Sequence, residues 1–219
     1  MTRYLSPSLL PETIISIPLS ESLIILKLFF EWISSNSLFT LWIDTSNNCE
    51  DILLTISLLS IFWITKKIKI LEHSLKSDFN IPEPKIAILG INPHAGDYGV
   101  IGEEEETFLS PLVKAQHNKG IRIYGPFPAD GFFGSQSYQN FDAVLAIYHD
   151  QGLIPFKTLS FGEGVNFTAG LDRVRTSPDH GTAYDIAGQG MANHNSFKKA
   201  LHTAREIFLN RKKFNDAVN

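Results

Sequence analysis

Two strand-like apolar runs, each ending in a polar cluster that carries a histidine, constrain this chain more than any other feature. Ala143-Val144-Leu145-Ala146-Ile147 has the length and composition of a buried strand, and Tyr148-His149-Asp150-Gln151-Gly152-Leu153 follows it directly. Lys85-Ile86-Ala87-Ile88-Leu89-Gly90 is a second such run, followed by Ile91-Asn92-Pro93-His94-Ala95-Gly96-Asp97. Open α/β sheets place their ligand crevice at the carboxyl ends of their strands, so both histidines are expected there. A histidine beside an aspartate there, as in His149-Asp150, suggests a metal or proton-transfer site, and the second histidine in the same setting strengthens it. The alternative for His149 and Asp150 is a loop pair that only satisfy each other.

At 219 residues the chain can bury one substantial core, with or without a less organised extension, but not two large domains. A hydrophobic fraction of 43%, a charged fraction of 19%, a net charge of -4 and a pI of about 6.0 describe a globular protein with no general attraction to nucleic acid or anionic membranes. A small-molecule partner is therefore expected, without nucleic acid or membrane. The single cysteine, Cys49, rules out an intrachain disulfide framework and a thiolate zinc cluster, and it suits a reducing cytoplasm. No signal peptide with a basic leading region is apparent, and the near-continuous apolar stretch 52–64 falls short of the roughly 20 residues a spanning helix needs.

Texture changes along the chain. Residues 1–65 are rich in Leu, Ile and Ser, and are expected to form a divergent segment ahead of an α/β domain over 66–219. Within it, residues 13–19 suggest a short strand broken at Pro18, and 21–33 a buried helix. Residues 66–79 predict an amphipathic helix with Ile68, Leu71 and Leu75 inward, stopped by Pro82 and Pro84. The acidic run Glu103-Glu104-Glu105-Glu106 precedes a helical pattern through Phe108, Leu109, Leu112 and Val113 that ends at Lys119-Gly120. There it is expected to solvate a helix start rather than bind a cation. Ile121-Arg122-Ile123-Tyr124 predicts a strand that enters a turn at Gly125-Pro126-Phe127-Pro128-Ala129-Asp130-Gly131, Val165 to Ala169 another strand, and 195–210 a closing helix with Phe197, Leu201, Ala204 and Phe208 on one face.

From His94 onward these motifs resemble one family, the 4-hydroxythreonine-4-phosphate dehydrogenases of pyridoxal phosphate biosynthesis, or PdxA. The matching stretches run from Leu89 to Gly96, from Gly125 to Asp130, from Tyr148 to Leu153, from Gly164 to Thr168 and from Arg175 to Ala183, so the likeness covers roughly residues 66–210. It implies a three-layer α/β/α architecture like that of isocitrate and isopropylmalate dehydrogenases, incomplete at the N-terminus. It also implies NAD-dependent oxidation and decarboxylation of 4-phosphooxy-L-threonine, assisted by a divalent metal (zinc, magnesium or cobalt), in a cytoplasmic homodimer with its site at the interface. His94 and His149 match metal ligands. Lys157, Asn166 and Arg175 match substrate contacts, and cations suit a phosphorylated, carboxylate-bearing substrate. Asp130 and Lys157 match positions at the reacting centre. His180, Gly181, Thr182 and Asp185 resemble the adenine-side cofactor loop, where glycine lets backbone approach a nucleotide. There is no G-x-G-x-x-G fingerprint after a strand, which disfavours a Rossmann site. His73, His117, His194 and His202 lack such context and are expected at the surface.

The chain departs from the family at the third metal histidine, because residues 1–72 contain none. Ser16-Ile17-Pro18-Leu19-Ser20 resembles that motif with serine in the histidine's place, and ungapped counting puts Cys49 nearby instead. A truncated or frame-disrupted ancestor would account for both this loss and the N-terminal composition. Three readings follow: an active PdxA-type dehydrogenase, a PdxA-like chain that folds without turnover, and a metal-dependent hydrolase using His94, His149 and Asp150. The last leaves Asn166, Arg175 and the His180 loop without roles.

Overall fold

The structure is a computed structural model that describes residues 14–17, 24–27, 49–160 and 162–218. Its centre is a seven-stranded sheet: β1 (Ile14–Ile17), β2 (Ile24–Lys27), β3 (Ile86–Leu89), β4 (Ile123–Phe127), β5 (Ala143–Ala146), β6 (Val165–Thr168) and β7 (Thr176–Pro178). Their order is β4-β3-β5-β2-β1-β6-β7. β4, β3, β5 and β2 are mutually parallel, whereas β1 runs antiparallel to both β2 and β6, and β6 and β7 form an antiparallel hairpin.

Alternation along the central strands builds two apolar layers. Ile86 and Ile88 of β3, with Ala143 and Leu145 of β5, face one side and pack against Ile64, Ile68, Leu71 and Leu75 of α1 (Cys49–Ser77) and Phe108, Leu109, Leu112 and Val113. The last four belong to one π-helical turn, Glu105–Leu109, and the helix it feeds, α2 (Ser110–Asn118). Ala87, Leu89, Val144 and Ala146 face the other side, against Phe132 of α3 (Ala129–Gly134) and Phe156 of α4 (His149–Ser160). Both faces of a parallel sheet are thereby covered, which explains why β3 and β5 read as unbroken apolar runs. The three-layer α/β architecture is as expected.

Several elements differ from the sequence reading. The strand expected in 13–19 is β1, but the expected helix over 21–33 meets strand β2, because these residues complete the sheet between β5 and β1. Pro18 to Ser20 lie outside the described residues. The amphipathic helix begins at Cys49 and runs unbroken past residue 65, where a segment boundary was expected. β4 starts two residues late and continues through Gly125-Pro126, expected as a turn. The final helix, α5 (Asn195–Val218), buries Ser196, Ala200 and Ile207, while Phe197, Leu201 and Phe208 stand exposed. Among the described residues no helix is long and apolar enough to cross a membrane.

Candidate active site

Three parallel neighbours, β4, β3 and β5, deliver Asp130, His94 and His149 to one edge of the sheet. The β3 exit has unusual backbone geometry. From His94 to Gly99 every residue has positive φ: 54°, 52°, 82°, 43°, 54° and 85°. Four of these six are not glycine, and a left-handed conformation costs an L-residue on the order of 1–2 kcal/mol. Surrounding contacts must hold such a run in place.

The residues that lead into the run are held by Glu105, a carboxylate with only 2% of its surface exposed. Its Oε1 accepts the backbone N–H groups of Ile91 at 2.7 Å and Asn92 at 2.8 Å, and its Oε2 accepts the Asn92 side-chain amide at 2.8 Å. Bonds to a charged group contribute about 1.5–3 kcal/mol each, enough to offset several strained residues. Gly96 leaves room for this carboxylate, since a Cβ there would lie 2.8 Å from Oε2 and 2.6 Å from the Gly102 carbonyl oxygen. The acidic run therefore does more than solvate a helix start. Glu103 and Glu106 are exposed as expected, but Glu105 shares the buried face of Phe108, Leu109, Leu112 and Gln116. That i, i+3, i+4, i+7 register was the sequence signal for its burial.

His94 and Asp130 line one open cavity of about 370 Å³, together with Ile91, Asn92, Pro93, Ala129 and Gln151. Their Nδ1 and Oδ2 atoms are 3.9 Å apart, and both side chains are well exposed. His149 begins α4 one strand away, and its Nδ1 lies 2.6 Å from Oδ1 of Asp150. With the proton on Nδ1, the pairing leaves the Nε2 lone pair for a ligand, as when a carboxylate orients a metal-binding imidazole. Asp150 is thus a partner of His149 whichever reading of that pair holds. Tyr148, beside it, has its phenol pushed above the ordinary range by burial and by the Glu104 and Glu105 carboxylates, and so stays protonated at neutral pH. Among the described residues no three His, Cys, Asp or Glu side chains converge on one point. Two imidazoles fit part of a divalent ion's shell, whereas catalytic zinc sites take three protein ligands.

The remaining candidates fall into two groups. Lys157 is exposed on α4, and its charge reaches Asp179, as does that of His180. Burial is the larger influence on Asp179 and holds its carboxyl above the ordinary value, with the two cations opposing it. Asp179, which the sequence reading passed over, therefore stands electrostatically between a candidate substrate contact and the candidate cofactor loop. In that loop His180, Gly181, Thr182 and Asp185 are all exposed, and nothing lies within 4 Å of a Cβ built on Gly181. Packing does not require glycine at this position.

The second group belongs to the β6–β7 hairpin. Asn166 donates from Nδ2 to the Pro178 carbonyl at 3.4 Å, and Arg175 donates from Nη1 to Thr168 Oγ1 at 2.9 Å. β2 and β1 separate β6 from β5, so this group lies about 14 Å from the β5 exit at the usual interstrand spacing. The exposed positions of His73, His117, His194 and His202 match expectation.

Comparison with known proteins extends this geometry. The sequence profile of the family described as "Pyridoxal phosphate biosynthetic protein PdxA" matches residues 52–204, starting earlier than the motifs alone suggest. The chain is 54% identical over 150 residues to 4-hydroxythreonine-4-phosphate dehydrogenase of Bacteroides thetaiotaomicron, covering 68% of this chain and 41% of that protein. It is 57% identical over 141 residues to the same-named protein of Prosthecochloris aestuarii, covering 64% of this chain and 41% of that one. Among solved structures, 4-hydroxythreonine-4-phosphate dehydrogenase from Klebsiella pneumoniae superposes with a TM-score of 0.61 at 34% identity, covering 91% of this chain and 53% of its own. The chain thus spans about two fifths of the length of these curated relatives. With the profile matching well over half of its residues, and with the motif order and three-layer sheet in agreement, this chain belongs to the PdxA family.

Proposed function

We propose that the chain takes part in the NAD-dependent oxidation of 4-phosphooxy-L-threonine in the cytoplasm, within pyridoxal 5'-phosphate (vitamin B6) biosynthesis. The observation that carries this reading is the placement of His94, Asp130 and His149 at the carboxyl ends of three adjacent parallel strands, in a chain whose relatives are named for that reaction. Oxidation removes a proton from the secondary hydroxyl and a hydride from its carbon. The hydride passes to NAD, and the resulting 3-oxo acid readily loses carbon dioxide.

His94 and His149 would hold part of a divalent metal's shell. When bound, such an ion acidifies a coordinated hydroxyl and stabilises negative charge beside it. Asp130 is assigned to receive the hydroxyl proton and pass it to water, a role its 3.9 Å distance from His94 and its exposure support. Lys157 is assigned to the substrate's reacting end, and Arg175 and Asn166 to its phosphate and carboxylate. His180, Gly181, Thr182 and Asp185 are assigned to NAD, in a loop open enough to admit it. The distance between the β5 exit and the hairpin bearing Asn166 and Arg175 favours a homodimer in which two copies complete one site. The exposed Phe197, Leu201 and Phe208 stripe is apolar surface suited to such a contact.

A second reading, a PdxA-like chain without effective turnover, is favoured by the lack of any third converging ligand among the described residues. NADH formation separates the two. With zinc, cobalt or magnesium present, substrate-dependent NADH production supports the first reading, and its absence from folded protein at high substrate and metal supports the second.

A further inference from the structure

We infer that Glu105 and Gln151 are positioning residues that together set where His94 stands relative to His149. The β3–β5 ladder pairs Ile86 with Ala143, Ala87 with Val144 and Ile88 with Leu145, and then stops. Beyond it both strands leave the sheet toward their histidines, and a side chain takes over the tie. Gln151 donates from Nε2 to the Gly90 carbonyl at 2.8 Å, while its Oε1 accepts the N–H of Ile147 at 2.8 Å and of Tyr148 at 3.4 Å. One amide thus bridges the exits of both strands, two residues from His149 on the same helix.

The bridge needs a donor and an acceptor on one short planar group. Glutamate would set a carboxylate against the Gly90 carbonyl, and leucine would leave the partly buried Ile147 N–H and Gly90 carbonyl without a partner. Glu105 completes the device from the opposite side. It clamps Ile91 and Asn92, the two residues between Gly90 and the turn into the left-handed run. Gly90 is therefore tied to the His149 helix, and the next two residues to the Glu105 carboxylate. His94, which follows them in a conformation it would not hold alone, is fixed through both. Gln151 lines the cavity while Glu105 lies outside its lining, and both are assigned to act through the histidines they hold in place.

The functional half of this inference rests on the metal-ligand reading of His94 and His149. The test compares the full chain with Glu105→Ala, Glu105→Gln, Gln151→Leu and Gln151→Glu, using cobalt titration, hydrogen exchange of residues 90–101 and 147–152, and histidine ring NMR. Folded Glu105→Ala, Glu105→Gln and Gln151→Leu are expected to bind cobalt at least about tenfold more weakly, as loss of the groups that orient metal-binding histidines does elsewhere. They should also exchange residues 90–101 faster, while α1 and β5 keep their protection. Glu105→Gln and Gln151→Glu keep side-chain size, so they report on hydrogen-bond chemistry if the shorter variants unfold. Faster exchange with cobalt affinity within about twofold of wild type overturns the positioning role and leaves a structural one. Unchanged exchange overturns the inference outright. If the unmodified chain binds no cobalt, the metal-ligand reading fails by itself. The inference is then decided by the His94 and His149 ring resonances, which it requires to shift in every folded variant and which overturn it if they do not.

Discussion

Gly96 is where backbone strain and packing coincide, since its φ of +82° disfavours a side chain and a Cβ would sit 2.6 Å from the Gly102 carbonyl oxygen. Gly96→Ala is therefore expected to destabilise the protein by about 1–3 kcal/mol, read as a lower urea midpoint, with accelerated exchange in residues 90–101. A midpoint equal to wild type would show that the loop relaxes freely. Asp179 makes a pH prediction. Its folded-state carboxyl titrates above the ordinary 3.8, so the unfolded chain ionises first as pH rises, and stability falls across the window between 3.8 and the raised value. Above that window the loss persists. Asp179→Asn should thus melt higher than wild type at neutral pH, with the difference shrinking below pH 3.8; a variant that melts lower at neutral pH would mean the attraction of Lys157 outweighs burial. Arg175→Ala and Lys157→Ala are expected to leave the fold intact and weaken substrate binding by about 1.5–3 kcal/mol each. Unchanged affinity by calorimetry would remove both residues from the substrate site.

Two long helices and one hairpin meet at Asp78, whose carboxylate is 2% exposed at the end of α1. It accepts bonds from Ser74 at 2.5 Å, from Ser77 at 3.0 Å and from Arg211 of α5 at 2.6 and 3.2 Å. Arg211 also donates to the Leu171 carbonyl beyond β6 and lies over the Phe167 ring. Removing one partner of a buried pair leaves an uncompensated charge, so Arg211→Leu is expected to cost about 3–5 kcal/mol in urea denaturation. A cost below about 1 kcal/mol would place this pair with solvent-screened surface bridges. The residues involved were all visible in the sequence, but their meeting was not, because Asp78 and Arg211 are brought together only by the sheet that separates their helices in the chain. α4 was hidden for a different reason. Gly152 and Pro155 are breaker signals, yet the helix accommodates Pro155 in its interior and packs Phe156 on the sheet.

For the whole molecule, two histidines without a converging third ligand predict weak zinc or cobalt binding and strongly reduced NADH formation by this chain. Parallel titrations and assays on wild type, His94→Ala and His149→Ala test this directly. Tight binding that survives both substitutions would move the metal elsewhere, and turnover at the rate of the longer relatives would show that the missing histidine is dispensable. The same measurements at rising protein concentration address the homodimer, whose formation should raise activity per chain if two copies complete a site.

By itself the sequence determined the elements whose burial is two-sided and local: β3, β5 and β6, the amphipathic part of α1, and the two histidines placed at strand exits. Apolar period and strand-end grammar carry that information within a few residues of the site, and motif order carried the family. Only the tertiary structure decided the rest. β2 has no pattern that distinguishes it from a buried helix until β5 and β1 flank it. The apolar stripe of α5 looked like a core face, but the burial of Ser196, Ala200 and Ile207 turned it outward. Glu105 looked like solvent-facing charge until Ile91 and Asn92, 14 and 13 residues earlier and just ahead of the left-handed run, presented three N–H groups to it. A carboxylate's burial is decided by the donors that meet it, and those donors are assembled by the fold.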